Sequence, residues 1–178
     1  MSLINGGNKK RTLLFESEIM VLITDIEISE LISEKKSLPL NFSRTSTLRT
    51  KRGHKEFNIA VIGENGSQFR LLGRQSSFNN LDFSIILLHV PEGSNQQFRI
   101  RRYNGKSHEH TNKIEKERFY DFHIHTATQR YQEMGFKEDE FAEPTDRYGD
   151  YHGALTSMLQ DCGFIIDGNQ RTLLDLVV

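Results

Sequence analysis

Four apolar-rich runs, Phe57 to Ile62, Gln68 to Leu72, Phe83 to Val90 and Gln97 to Tyr103, follow one another with short polar connections between them. A parallel crossover needs a dozen or more residues and usually a helix, so runs spaced this closely are predicted to pair antiparallel. The connections carry turn chemistry: Gly63-Glu64-Asn65-Gly66, Asn79-Asn80 and Pro91-Glu92-Gly93-Ser94-Asn95. Arg118 to His125 reads as a fifth strand. Its alternation sets Tyr120, Phe122 and Ile124 on one side and Asp121, His123 and His125 on the other. The same rule puts Phe98 and Ile100 on the buried face and Arg99 and Arg101 opposite, so that arginines and histidines share a face if the two strands pair.

Helical spacing flanks this meander. Ile19, Leu22, Ile23, Ile26, Leu31 and Ile32 predict one amphipathic helix over residues 17–33, with Ser17 as N-cap and Lys35 and Lys36 suited to the negative end of its dipole. Pro39 bars its continuation. A short helix is expected over residues 126–134, ended by Gly135, and an acidic loop over 137–146. A second long helix runs from Thr145 to Cys162, with Tyr151, Leu155, Met158, Leu159 and Cys162 inward. Phe164 to Ile166 and Leu173 to Val178 form a last apolar hairpin or helix end. The expected fold is therefore α+β: a curved antiparallel sheet of about five strands packed by an N-terminal and a C-terminal helix. Residues 1–13 are read as a flexible terminus and 14–178 as one domain, since 178 residues at 36% hydrophobic content supply one core and hardly two.

No apolar run approaches the eighteen residues of a spanning helix, and the start has no signal-peptide core. The single cysteine, Cys162, excludes an intramolecular disulfide and favours the cytoplasm. A net charge of −1 conceals an asymmetry. Residues 44–106 hold 11 Lys and Arg against 4 acidic residues, whereas residues 107–178 hold 7 against 14. Two readings compete: a basic sheet face for a polyanion, or halves of one fold that neutralise each other.

The candidate chemistry sits between Arg99 and Thr126, where four of the seven histidines form two His-x-His pairs, His108/His110 and His123/His125. On a strand such a pair points both rings to one face, about 7 Å apart. Two functions compete for these residues. In the first, His108, His110, His123 and His125 act as general base and acid on a phosphodiester, with Arg99, Arg101, Arg102, Tyr103 and Lys106 binding the substrate and no cofactor required. In the second, a subset of His108, His110, Asp121, His123, His125 and Glu115 holds zinc, iron or nickel; the lack of thiolates argues against a structural zinc knot. A third reading is an interaction module, an antitoxin or an inhibitor, whose histidines are incidental. Tyr103-Asn104-Gly105-Lys106 reads as an Asn-Gly turn.

The run His108-x-His110-x4-Glu115 resembles the first motif of the cupin barrels over eight residues, but the glycines that open and close that motif are missing. The broader layout, with Asn104-Gly105, His110-x-Asn112 and Phe122-His123-Ile124-His125 within residues 17–135, is similar to small uncharacterised prokaryotic domain families, some found beside toxin–antitoxin or mobile-element genes. The resemblance implies a toxin-like or defence setting, with RNA or a cognate protein as partner, and it assigns no catalytic residue. Nucleic-acid action, RNA binding or ribonuclease-like cleavage, is thus the leading expectation and metal binding its alternative.

Overall fold

The structure is a computed structural model that describes residues 22–93 and 96–165. The expected flexible N-terminus, the Ser17 cap and the segment from Ile166 onward lie outside the described residues. In chain order the elements are α1 (Asp25–Ser33), β1 (Lys36–Ser37), α2 (Phe42–Thr45), β2 (Arg49–Thr50), β3 (His54–Ile62), β4 (Gln68–Ser76), β5 (Phe83–Val90) and β6 (Phe98–Asn104). Then come β7 (His110–Thr111), β8 (Arg118–Phe119), β9 (His123–Thr126), α3 (Gln129–Glu133), β10 (Ala142–Pro144), α4 (Tyr151–Asp161) and β11 (Phe164–Ile165). None of the described helices is long and apolar enough to cross a membrane.

The fold is α+β, with an open sheet of seven strands in the order β10-β9-β6-β5-β4-β3-β2. All its pairings are antiparallel. The four central strands are the four apolar runs of the sequence. The sheet exceeds five strands because short edge strands are added: β2 beyond β3, and β10, drawn from the acidic loop, beyond β9. Neither has the length or alternation that marks a strand in sequence.

One face of the sheet is the core. Phe57, Phe69, Leu71, Ile85, Leu87 and Tyr103 lie under Leu155, Met158, Leu159 and Cys162 of α4. Tyr148 and Phe122 extend the packing of Phe83, with ring centroids 6.3 and 6.2 Å away. The other helix, α1, is shorter than its periodicity suggests. It begins after Thr24, whose side chain and that of Glu27 form a reciprocal capping box. Ile23 and Ile28 pack with Ala127 in a small satellite cluster that Leu31 and Ile32 join to the main core.

Lys36 closes the far end of α1. It is completely buried, and its ammonium donates to the carbonyls of Leu31 (2.8 Å), Ile32 (3.2 Å), Glu34 (2.6 Å) and Cys162 (3.0 Å) while lying 4.4 Å from the Phe69 ring centroid. One cation thus satisfies orphan carbonyls at the end of one helix and one just past the end of the other. The parallel pair β1–β11 fixes the same junction.

At Gly73 the Tyr151 side chain of α4 presses close to the sheet. A methyl group there would lie 2.1 Å from the Tyr151 hydroxyl and 2.2 Å from the Phe57 ring. Gly73→Ala is expected to cost about 2 kcal/mol by overpacking, read as a fall in thermal midpoint. An unchanged midpoint would show that α4 does not press on the sheet there.

Cross-strand register defines the opposite, outer face. Arg49, Glu56, Arg74, Ser84, Asn104 and His123 form one continuous row across β2, β3, β4, β5, β6 and β9. Leu72, Ile86, Arg102 and His125 form the next. Simple alternation fails in β6. Leu87 opposes Arg101 and Leu88 opposes Arg99, so Ile100 is an extra, bulged residue. Arg99 and Arg102 consequently lie on the outer face, while Arg101 turns to the core side with Tyr103.

Candidate metal centre

The two histidine pairs meet. β9 is held between β6 and β10, which sets His123 and His125 on the outer face two residues apart. The expected fifth strand is broken at residues 120–122, where Phe122 turns to Tyr148 and Phe83 in the core. The break frees β8 to pair with β7, and this small hairpin brings His110 over the two β9 rings. Ring centroids are 5.2 Å apart for His110 and His123, 4.8 Å for His110 and His125, and 4.9 Å for His123 and His125.

The surrounding bonds fix which nitrogen of each ring is free. His123 Nδ1 donates to the Asp121 carbonyl at 2.7 Å and His125 Nδ1 to the Asp139 carbonyl at 2.8 Å, so both Nε2 atoms keep their lone pairs. Asn112 is locked by two bonds to the Ala142 backbone, Nδ2 to the carbonyl (2.8 Å) and Oδ1 from the amide (2.9 Å). Its Oδ1 therefore accepts from His110 Nε2 at 3.0 Å, leaving His110 Nδ1 as that ring's lone pair. One ligand atom from each ring lies within 4.8 Å of the others. A tetrahedral zinc ion with Zn–N distances of 2.0–2.1 Å needs these nitrogens about 3.4 Å apart, so binding requires the rings to close by roughly 1.5 Å. Backbone carbonyls and a buried amide behind metal-binding imidazoles are the usual outer-shell partners.

At the point of convergence stands Asn104. Its Oδ1 accepts from Ser84 Oγ at 2.7 Å, which turns Nδ2 toward the two β9 rings, 3.2 Å from each Nε2. The lone pairs a cation would take are thus aimed at one spot. Tyr148 ties the backbone beneath, its hydroxyl lying 3.0 Å from the Asn104 carbonyl and 2.9 Å from that of His123. Asn104 was expected in an Asn-Gly turn; it is instead the buried last residue of β6.

His123 and His125 are almost without solvent contact, and burial is the main reason both resist protonation. His123 is lowered to about 4, with the charges of the neighbouring rings and Arg102 adding to burial. His125 is lowered further, Arg102 being the next cause, since its guanidinium lies 3.2 Å from His125 Nδ1. His110 is lowered by burial as well. The trio is neutral at pH 7, the form that binds a metal.

In the metal-stripped protein this has a definite sign. The unfolded chain takes up these protons near pH 6.5 and the native state does not, so stability is fully present above about 6.5 and falls as pH drops toward 4. His123 alone contributes about 3 kcal/mol over that window. Thermal melting of stripped protein from pH 7.5 to 4.5 is expected to show the fall, and a smaller fall in His123→Ala would assign that residue's share. A flat profile in the parent contradicts the neutral trio.

The remaining expected site residues divide sharply. His108, exposed, stands beside the trio at 5.5 Å from His123. Arg99 and Arg102 line the same cleft of about 460 Å³, which Arg74, Lys137, Asp139 and Glu140 also border. Arg101 and Tyr103 do not: Arg101 is turned inward by the bulge, and Tyr103 is fully buried, donating to Asp161 on α4. Lys106 and Asp121 pair with each other at 2.8 Å on the surface, and the Asp121 carboxylate is not among the grouped ligands. Glu115 is held by Arg130 and Tyr131. Asn104, Asn112, Asp139, Arg74 and Lys137 were not singled out for the site. Only the strand register, which links Arg74 through Ser84 and Asn104 to His123, brings Arg74 into line with the histidines.

No family model matches this chain, and neither a curated protein nor a solved structure matches it.

Proposed function

We propose that this chain is a metal-dependent hydrolase that binds one divalent transition-metal ion, zinc in the first instance, through His110 Nδ1, His123 Nε2 and His125 Nε2. The observation that carries the reading is the set of hydrogen bonds fixing the three tautomers: the Asp121 and Asp139 carbonyls and the Asn112 amide leave one lone pair on each of three rings that offer ligand atoms within 4.8 Å of one another. Three imidazoles with an open fourth position are a catalytic rather than a structural zinc arrangement. Such an ion acidifies water toward neutrality and polarises an anionic substrate. Arg102, held by Asp139 at 2.9 Å, sets a positive charge beside the site without competing for the metal.

The metal-free acid–base alternative is less well supported. It needs one imidazole charged as acid, and burial holds His123 and His125 neutral. An interaction module with incidental histidines gives no account of their convergence beside a cleft.

Elemental analysis of untagged protein tests the proposal. Near one equivalent of metal is expected, removable by chelator, with the thermal midpoint falling on removal and returning with zinc. Protein that takes up no zinc or cobalt after stripping would end this reading.

A further inference from the structure

We infer that the outer face of the seven-stranded sheet binds a single strand of nucleic acid and leads its backbone to the histidine trio. The register gives five arginines on that face, Arg49, Arg70, Arg74, Arg99 and Arg102. Among the strand residues of that face one is acidic, Glu56, which is already held by Lys51 at 3.6 Å and His54 at 2.9 Å, while Asp139 and Glu140 border the cleft at the β6–β9 end and Glu138 accepts from the Arg99 backbone N–H at 2.9 Å. Of the five, only Arg102 has a carboxylate partner among the described residues, Asp139; Arg70 donates to Asn58 at 3.1 Å. The acidic half of the sequence therefore meets the basic half on this face at the Arg99–Arg102 end, and Arg49, Arg70 and Arg74 have no ion pair with it among the described residues. Charge asymmetry between two halves of a chain does not by itself imply a ligand; a run of arginines on one face with few compensating carboxylates does.

The spacing suits a strand. Neighbouring β-strands are about 4.8 Å apart, so Arg74 lies about 14 Å along its row from His123, and Arg99 lies one to two strand spacings from the trio along β6. Cations at such intervals meet phosphates along an extended backbone, and the half-buried Leu72 and Ile86 between them offer apolar contact to bases of any sequence. Helix α4 packs against the opposite face, and the cleft of about 460 Å³ beside the trio lies on this one.

The cleavage step, unlike the binding face, rests on the metal reading above. A water oxygen bonds to phosphorus, and the ester P–O bond breaks with its electron pair passing to the sugar oxygen. That oxygen takes up the proton released by the water, giving a phosphate monoester and an alcohol. Nothing in the step needs a 2′-hydroxyl, so RNA and DNA strands are both substrates by this chemistry.

Fluorescence anisotropy with labelled 12-nucleotide RNA and DNA strands, from 50 to 200 mM KCl, is the test. Binding is expected for both, with log K falling against log salt at about 0.7 per phosphate neutralised. Arg49→Gln/Arg70→Gln/Arg74→Gln should weaken binding at least tenfold and flatten that slope by about 2, with metal content unchanged. Lys35→Gln/Arg44→Gln, which removes charge outside this face, should alter neither. Equal affinity in parent and triple-arginine variant, no binding at 50 mM KCl, or tighter binding of a duplex than of either strand would overturn the inference. RNA bound and DNA excluded would overturn the backbone-only account. Arginine-dependent binding without metal uptake would support the face while refuting the hydrolase, so the two failures are separable.

Discussion

His123→Ala/His125→Ala is expected to leave a folded protein that no longer retains metal, whereas the parent carries close to one equivalent. Two of the three lone pairs vanish, and the third, on His110, cannot hold an ion alone. The loss should exceed the roughly 10–100-fold weakening that follows from removing an outer-shell partner. Asn112→Ala supplies that comparison, because Asn112 only orients His110 and ties it to Ala142. Titration with zinc against a competing chelator measures all three proteins on one scale. The ordering parent, Asn112→Ala, double variant is the expected result. Metal retained at one equivalent by the double variant would remove these rings from the site altogether.

Lys36→Met should be the most damaging single substitution away from the histidines. Methionine nearly matches the volume of the lysine stem, so the effect isolates the ammonium. Burial lowers this lysine to about 8, which leaves it mostly charged at pH 7 among four carbonyls. Without it those carbonyls are stranded in the interior. Removing one side of a buried ionic cluster costs about 3–5 kcal/mol, and for a chain of this size that is a drop in Tm of roughly 6–20 °C. Denaturant melts at pH 7 decide it. A change below 1 kcal/mol would mean that water replaces the ammonium and that the junction between α1 and α4 is looser than its bonds suggest.

Lys36 also shows what was legible in the sequence. Its place next to the end of a predicted helix suggested a dipole partner, and it is one, although its reach to Cys162 could not be foreseen. The four central strands and the body of α4 were readable because long runs of period two or three and a half reflect burial directly, although α4 starts at Tyr151 behind an Asp150 cap and not at Thr145. The start of α1 was not, because apolar residues at helical spacing continue upstream of Thr24 and only the capping box marks where the helix begins. The edge strands β2 and β10 were invisible because two or three residues carry no period.

At the site, the histidines themselves could be read from their spacing. That His110 joins the trio while His108 stays at its rim depends on the two-residue pairing of β7 with β8, which no pattern announces. Asn104 was misplaced because Asn-Gly is the commonest turn signal. Here the asparagine ends a strand, its amide serving Ser84 and the histidines.

The bulge at Ile100 has a consequence for how this strand tolerates change. Arg101 and Arg102 are sequence neighbours with opposite duties, one beside the α4 core and one beside His125, and the extra residue is what lets Arg99 share the second environment. Straightening the bulge with Ile100 kept in the ladder would restore strict alternation and send Phe98 to the outer face and Arg99 into the core side, whereas deleting Ile100 would leave both where they are. A shift of one residue in register would thus exchange a charge for a ring on both surfaces at once. By contrast, many side-chain substitutions at Ile100 would leave the register alone. The register of β6, more than its composition, is what natural variation has least freedom to alter.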